Sequence, residues 1–305
     1  MASVLHKIAR RLNQSEEPDV VVKAQGKKPP GVRLGWFRRA SAPLRTLPGA
    51  VVIGVQKGGT TSLYRYLIRH PHVMWPKKKE MHFFDRRYAE GLDWYRAHFP
   101  TRAWQRIREV TTGQRHLVIE ATPGYVFHPW SADLLAKTLP NARLVLMLRN
   151  PVDRAYSHYK MMVRREEEPR SFGEVIEDEF AHIDEHRAFI ASQPIEKWGR
   201  NARKKFYLAR GLYAEQLAPW LEQFDREQLY IMSSDSFYQD TPGRFRDVIA
   251  FLGLDAWEPP KYTVWGKAAT DRMDPEVRQA LAEYYRAPNE KLFALLGEDY
   301  GWNSP

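Results

Sequence analysis

The chain has 305 residues, enough for one large α/β domain with a substantial core. It contains no cysteine, which excludes a disulfide framework, a thiolate metal site and a thiol nucleophile. No stretch is long and apolar enough to span a bilayer, and the N-terminus lacks the features of a signal peptide, so a cytoplasmic protein is expected. The formal charge is +10, and ten Lys/Arg against three acids place +7 of it in the first 50 residues. The remainder is too nearly balanced to read as a nucleic-acid binder.

Residues 1–47 read as a partly ordered basic arm rich in charge, proline and glycine. Within it Val4, Leu5, Ile8 and Leu12 recur at helical spacing, with Lys7, Arg10 and Arg11 on other faces. A short helix of that kind suits a solvated surface or peripheral contact with an anionic membrane.

Apolar, mostly β-branched runs follow at 51–55, 117–119, 144–148 and 229–232. Continuous apolar runs bounded by turn signals fit strands buried on both faces, and helical segments lie between them. The expected architecture is α/β, a parallel sheet of the phosphate-loop type flanked by helices, in a single domain over 48–303. Helices are expected at 62–70, 133–139 and 151–165, the last opening with a proline that a first helical position tolerates. Residues 164–207 combine Glu166–Glu168, a Ser171-x-x-Glu174 capping box and Arg200, Arg203, Lys204 and Lys205, and read as a charged helical insertion or lid. A last helical region, 275–296, is expected to break near Pro288.

Two segments carry chemistry. In 51–62, a buried strand runs into Gly54, Lys57, Gly58 and Gly59 and then Thr60, Thr61 and Ser62, which open a helix. The spacing of Gly54 and Gly59 is that of a triphosphate-binding loop, but the lysine sits inside the loop instead of after the second glycine. Backbone N–H groups, the positive helix end, three hydroxyls and Lys57 make an anion cradle suited to a shorter donor. In 144–159, Arg149 ends a buried strand where ligands bind in open α/β sheets, and its planar fork suits a phosphate. Ser157, on the following helix, can reach the same ligand.

Together Val55-Gln-Lys57-Gly-Gly-Thr-Thr-Ser62 and Arg149-Asn-Pro-Val-Asp-Arg-Ala-Tyr-Ser157-His-Tyr159 resemble the donor-binding motifs of sulfotransferases that use 3′-phosphoadenosine 5′-phosphosulfate. Lys79-Glu80-Met-His82-Phe-Phe-Asp85 resembles the acceptor-side motif of the carbohydrate branch, which includes the heparan sulfate enzymes. Arg210-Gly-Leu-Tyr213, Phe251-Leu-Gly-Leu254 and Tyr300-Gly-Trp302 extend the resemblance over about 48–303. It implies that Lys57, Gly58, Gly59, Thr60, Thr61 and Ser62 hold the 5′-phosphosulfate, and Arg149 and Ser157 the 3′-phosphate. Lys267 is implied at the 3′-phosphate side, through a looser match. Glu80 is implied as general base, with His82 its rival and a packed histidine the alternative. Adenosine 3′,5′-bisphosphate would be the product and no metal would be needed.

That chemistry is physically consistent. Sulfuryl transfer needs in-line positioning and neutralisation of charge on the leaving phosphate oxygen, which Lys57 can supply. Lys77–Lys79 beside Glu80 favour its ionised, proton-accepting form. Ala121 stands where glycosaminoglycan-specific relatives commonly carry a lysine, and the segment 261–272 has none of the cysteines that close a loop there in such relatives. Pro288-Asn289 likewise replaces a frequent histidine. Trp75, Trp94, Tyr125 and Trp265 are the candidates for stacking on a sugar. His70 and His72 read as a helix end meeting a turn, not as metal ligands. The expected reaction is sulfuryl transfer to a hydroxyl, or an amine, of a carbohydrate or glycoconjugate. A phosphate-loop kinase or nucleotide triphosphatase, and a nucleotide-binding protein without catalysis, are the alternatives.

Overall fold

A computed structural model describes residues 35–192, 198, 206–265 and 272–303. The expected helix at 4–12, the basic cluster at 200–205 and Lys267 lie outside the described residues. Five parallel strands form the sheet: β1 (Ala50–Gly54), β2 (Val73–Met74), β3 (Leu117–Ala121), β4 (Arg143–Leu148) and β5 (Leu229–Ser233), in the order β2-β3-β1-β4-β5. The chain thus reverses direction across the sheet at β1, which pairs with β3 on one side and β4 on the other.

The helices are α1 (Trp36–Ala40), α2 (Thr60–Leu67), α3 (Leu92–Arg96), α4 (Arg102–Thr112), α5 (Pro129–Thr138) and α6 (Pro151–Arg164). They continue with α7 (Phe172–Ala181), α8 (Ile183–Ser192), α9 (Tyr213–Gln223), α10 (Ser234–Gln239), α11 (Thr241–Phe251) and α12 (Pro275–Leu296). Alternate side chains of the central strands enter different cores, as the period of two requires. Val51, Ile53, Leu144 and Leu146 pack with Leu135 of α5, Leu217 and Trp220 of α9 and Leu292 of α12. Ala50, Val52, Val145 and Met147 pack with Leu63 and Leu67 of α2 and Val248 and Ile249 of α11. Both faces are therefore covered, which explains why these strands read as unbroken apolar runs.

The four expected strands are present within a residue or two of their expected ends, and β2 is an addition of only two residues, too short to leave a periodic signal. The expected break near Pro288 does not occur: α12 runs continuously through it. Its buried face, Leu281, Tyr285, Asn289 and Leu292, packs on both sides of the proline, and that burial outweighs the lost hydrogen bond. The basic arm ends in a docked segment, where buried Arg45 donates to the Phe99 carbonyl at 2.7 Å and Thr46 N–H to Pro100 O at 3.0 Å.

The stretch expected as a charged insertion opens with the capping box as read: Ser171 and Glu174 satisfy each other's amides. Its first helix is more than a charged cover, because Phe172, Val175 and Ile176 join a core with Val152, Ala155, Leu208 and Tyr285. Glu179, buried on the same helix, accepts from the amides of Tyr207 and Leu208, both at 2.6 Å. Removing it with Glu179→Ala leaves two buried donors unpaired and is expected to cost about 2–4 kcal/mol in chemical denaturation. A loss below about 1 kcal/mol would show that those amides find other partners.

Candidate active site

Three loops leave the sheet at one edge, the C-terminal ends of β1, β3 and β4, where open α/β sheets bind ligands. After β1 the chain turns tightly at residues 55–59, pinned by Val55 N–H to Met147 O and Gly58 N–H to Val55 O, each 2.9 Å. Lys57 takes φ 74° and Gly59 φ 92°. A Cβ at Gly58 would fall 2.5 Å from the Met147 carbonyl, and one at Gly59 would fall 2.8 Å from Tyr238 Oη. Only glycine lets the backbone close the cradle in this space. The turn delivers α2, whose first amides have no intrahelical partner and face the loop with the positive end of the dipole.

Thr60 and Thr61 open α2 at this mouth. Ser62 does not present its hydroxyl there. It is fully buried, accepts from Trp265 N–H at 3.1 Å and lies 3.4 Å from Tyr238 Oη, so it braces the loop from behind. Trp265 is committed as well, packed beside Tyr66 with Arg65 and Arg69 against its ring.

After β4, Asn150 caps α6 by accepting from Val152 N–H at 3.0 Å, which sets the direction of the helix. Arg149 donates to the carbonyl of Lys57 at 3.1 Å, and its own carbonyl accepts from Tyr213 Oη at 2.8 Å. The two sequence motifs are thus hydrogen-bonded to each other. Arg149 and Ser157 line a cavity of about 430 Å³, together with Tyr156, Lys160, Arg272 and Arg278. Burial, then Arg164, Arg149, Arg165 and Arg154 in that order, push the Lys57 pKa down to about 8. Nothing in the sequence pattern singles out Arg164 and Arg165 as neighbours of Lys57. They adjoin Glu166–Glu168 and look there like part of a solvated charge run.

The segment that follows β2, lying against the end of β3, carries Glu80 and His82, which share left-handed backbone at φ 60° and 52°. Such backbone costs roughly 1–3 kcal/mol per non-glycine residue and persists only where neighbours impose it. Here β3 imposes it. Glu80 N–H donates to Ala121 O at 3.1 Å, Phe83 N–H to Tyr125 Oη at 3.0 Å, and His82 N–H makes a longer contact, 3.4 Å, with Thr122 Oγ1. Thr122 and Tyr125 in turn donate to Glu120, which is fully buried and also accepts from Tyr95 Oη at 2.7 Å. Burial raises the Glu120 pKa against the pull of these hydroxyls. No local pattern marks this network, because nothing in a strand residue's spacing shows that its carboxyl meets three hydroxyls.

His82 donates through Nδ1–H to Asp85 Oδ2 over 2.8 Å, and its Nε2 lies 3.9 Å from Glu80 Oε2. Burial alone would raise the Asp85 pKa, but His82, His128 and Arg86 outweigh it and hold the carboxyl below its ordinary value. An aspartate oriented on Nδ1 fixes the ring with Nε2 toward Glu80. Glu80 itself is about half exposed, open to an incoming group. Of the proposed stacking residues, Trp75 is exposed, whereas Tyr125 is fully buried under the loop and offers no face to a sugar. Trp94 is partly buried against the core beside Phe83 and Arg87. His70 and His72 turn to Asp255, through its carbonyl at 3.0 Å and its carboxylate at 3.0 Å.

A family model described as the sulfotransferase domain matches residues 47–291. The chain belongs to the sulfotransferase family. A sulfotransferase from Alicyclobacillus acidocaldarius has the same fold, with a TM-score of 0.62 and 32% identity over 84% of this chain and 99% of that one. The membrane-associated sulfotransferase kil1 of Dictyostelium discoideum is 28% identical, over 86% of this chain and 68% of its own length. Heparan sulfate glucosamine 3-O-sulfotransferase 6 of Homo sapiens is 29% identical over 86% of this chain and 76% of its own. The corresponding 3B1 enzyme of Mus musculus is 28% identical over 87% and 67%. The protein is an enzyme of the transferase class.

Desolvation of Lys57 can be read without any ligand. Acylation of Lys57, followed by mass spectrometry across pH, is expected to rise with a midpoint near 8. Exposed Lys137, whose pKa the Asp133 hydrogen bond pushes up, should respond at higher pH. A Lys57 midpoint at the free lysine value of about 10.4 would contradict the arrangement.

Proposed function

We propose that this sulfotransferase moves a sulfuryl group from 3′-phosphoadenosine 5′-phosphosulfate to a hydroxyl, or less readily an amine, of a carbohydrate or glycoconjugate. The observation that carries the donor assignment is the hydrogen bond from Arg149 to the Lys57 carbonyl, which sets the two anion-binding elements side by side. One cradle suits the 5′-phosphosulfate: Lys57, the backbone of Gly58 and Gly59, Thr60 and Thr61. The cavity lined by Arg149 and Ser157 suits the 3′-phosphate: Asp153 also lines it and is paired with Arg278, but Lys160 and Arg272 add to Arg149 and leave the lining cationic on balance. The cradle has no room for a Cβ at Gly58 or Gly59, which fits close approach of backbone to an anion. Lys267 would join the 3′-phosphate side from the segment after Trp265, and Ser62 would act by holding the loop.

In this reading Glu80 accepts the proton of the acceptor hydroxyl, His82 orients or relays it under the control of Asp85, and Lys57 stabilises charge on the departing phosphate oxygen. Preference for a carbohydrate follows the names of the heparan sulfate relatives. Trp75, exposed beside Lys77 and Lys78, offers an aromatic face and charge to such an acceptor. Among the described residues no helix is long and apolar enough to cross a membrane. A cytoplasmic enzyme that touches membranes through its basic arm remains the proposed setting, in keeping with the name of the Dictyostelium relative.

Two measurements test this. Adenosine 3′,5′-bisphosphate should bind much more tightly than adenosine 5′-phosphate, and Arg149→Ala should erase most of that preference, about 10–100-fold for a lost charge-assisted contact. Equal affinity for the two nucleotides would count against the donor. In an acceptor panel screened by mass spectrometry for the gain of one sulfate, Glu80→Gln should lower transfer by about 100-fold or more while leaving bisphosphate binding intact. Transfer undiminished by that change would remove Glu80 as the base.

A further inference from the structure

We infer that Lys79 is a further catalytic residue, a cation that binds the sulfuryl oxygens as the group passes from donor to acceptor. The inference rests on the function proposed above. Lys79 Nζ lies 3.0 Å from Thr61 Oγ1 and 3.4 Å from Glu80 Oε1. Thr61 belongs to the donor cradle and Glu80 to the acceptor side, so this single ammonium joins the two halves of the site. A sulfuryl group in transit must lie between the 5′-phosphate and the hydroxyl that Glu80 deprotonates. Lys79 stands at that border.

An ammonium has three N–H donors, and two are directed at Thr61 and Glu80, which leaves one for a sulfuryl oxygen. Thr61 Oγ1 accepts from Lys79 and keeps its own hydrogen for the donor. The side chain is about one-fifth exposed, and its charge also lies 5.7 Å from the Tyr64 ring centroid. Burial lowers the Lys79 pKa, against the pull of Glu80. A poorly hydrated ammonium gains more from an arriving anion than a solvated one does. Lys57, inside the glycine loop, faces the leaving phosphate. Lys79 approaches from the acceptor side, and the two cations would flank the same sulfur.

The step balances without any other reactant. The acceptor oxygen forms a bond to sulfur as the bond from sulfur to the 5′-phosphate oxygen breaks, and that oxygen keeps the electron pair. The acceptor proton passes to Glu80. Lys79 gives hydrogen bonds throughout and loses no proton.

If Lys79 were only a structural ion pair, its loss would act on both nucleotides alike or on neither. Adenosine 3′,5′-bisphosphate lacks the sulfuryl group, so it separates the cases. Titrations of the full chain with the bisphosphate and with 3′-phosphoadenosine 5′-phosphosulfate, without acceptor and before the donor hydrolyses, give the ratio of the two affinities. Lys79→Met should weaken phosphosulfate binding by about tenfold or more beyond whatever it costs the bisphosphate through Thr61, so that the ratio of the two affinities falls. Lys79→Arg, which keeps a charge at that place, should retain the wild-type ratio to within a few-fold. An unchanged ratio in Lys79→Met overturns the inference and leaves the proposed function standing. A wild-type chain that binds neither nucleotide overturns the proposed function, and this inference with it.

Discussion

Central placement of β1 is the constraint on which the site depends. Because β1 pairs in parallel with both β3 and β4, the three chain ends that carry Lys57, Ala121 and Arg149 emerge on one edge, a strand spacing apart. The register sets Val52 opposite Ala121 and Val145. Two hydrogen bonds across that edge then tie the loops together, Arg149 to the Lys57 carbonyl and Glu80 N–H to the Ala121 carbonyl. Burial of both sheet faces holds this pairing, so the core fixes the distances between groups far apart in sequence.

Electrostatics and strain point the same way. Lys57 sits among Arg149, Arg154, Arg164 and Arg165, an arrangement that opposes charging and that an anion would relieve. Left-handed backbone at Lys57, Glu80 and His82 concentrates conformational cost in the same loops. At the Glu80 loop the cost is offset by the amides anchored at the end of β3 and by the buried Glu120 with its three hydroxyls. At the glycine loop Tyr238 and Trp265 close on Ser62 from behind. A preorganised site of this kind binds charge without reorganising at the moment of transfer.

Much of this was legible in the sequence, for identifiable reasons. Buried parallel strands leave continuous apolar runs, and glycines in a strand-to-helix turn leave a spacing, so the sheet, the cradle and Arg149 could be read directly. Ser157 could be placed by its helix, whereas Glu80 gained meaning only through resemblance. Contacts between distant segments left no local trace: Lys79 on Thr61, Arg164 and Arg165 near Lys57, and Glu120 under the Glu80 loop all depend on register and loop direction. Local rules also misled where tertiary packing prevailed. Pro288 lies inside a continuous helix because residues on both sides are buried, and Tyr125, read as a stacking face, spends its hydroxyl on Glu120 and Phe83. Ser62 follows two threonines in the motif, yet the turn of the helix carries it inward.

In the proposed function one sheet edge presents two adjoining anion sites to a single nucleotide. A crystal structure of the full chain with adenosine 3′,5′-bisphosphate tests it most directly. The 5′-phosphate is expected against Lys57 and the amides that open α2, with the 3′-phosphate between Arg149 and Ser157. A nucleotide seated elsewhere, such as the smaller cavity between Phe127, Ile190 and Leu212, or one bound at the edge with its 3′-phosphate away from Arg149, would contradict it.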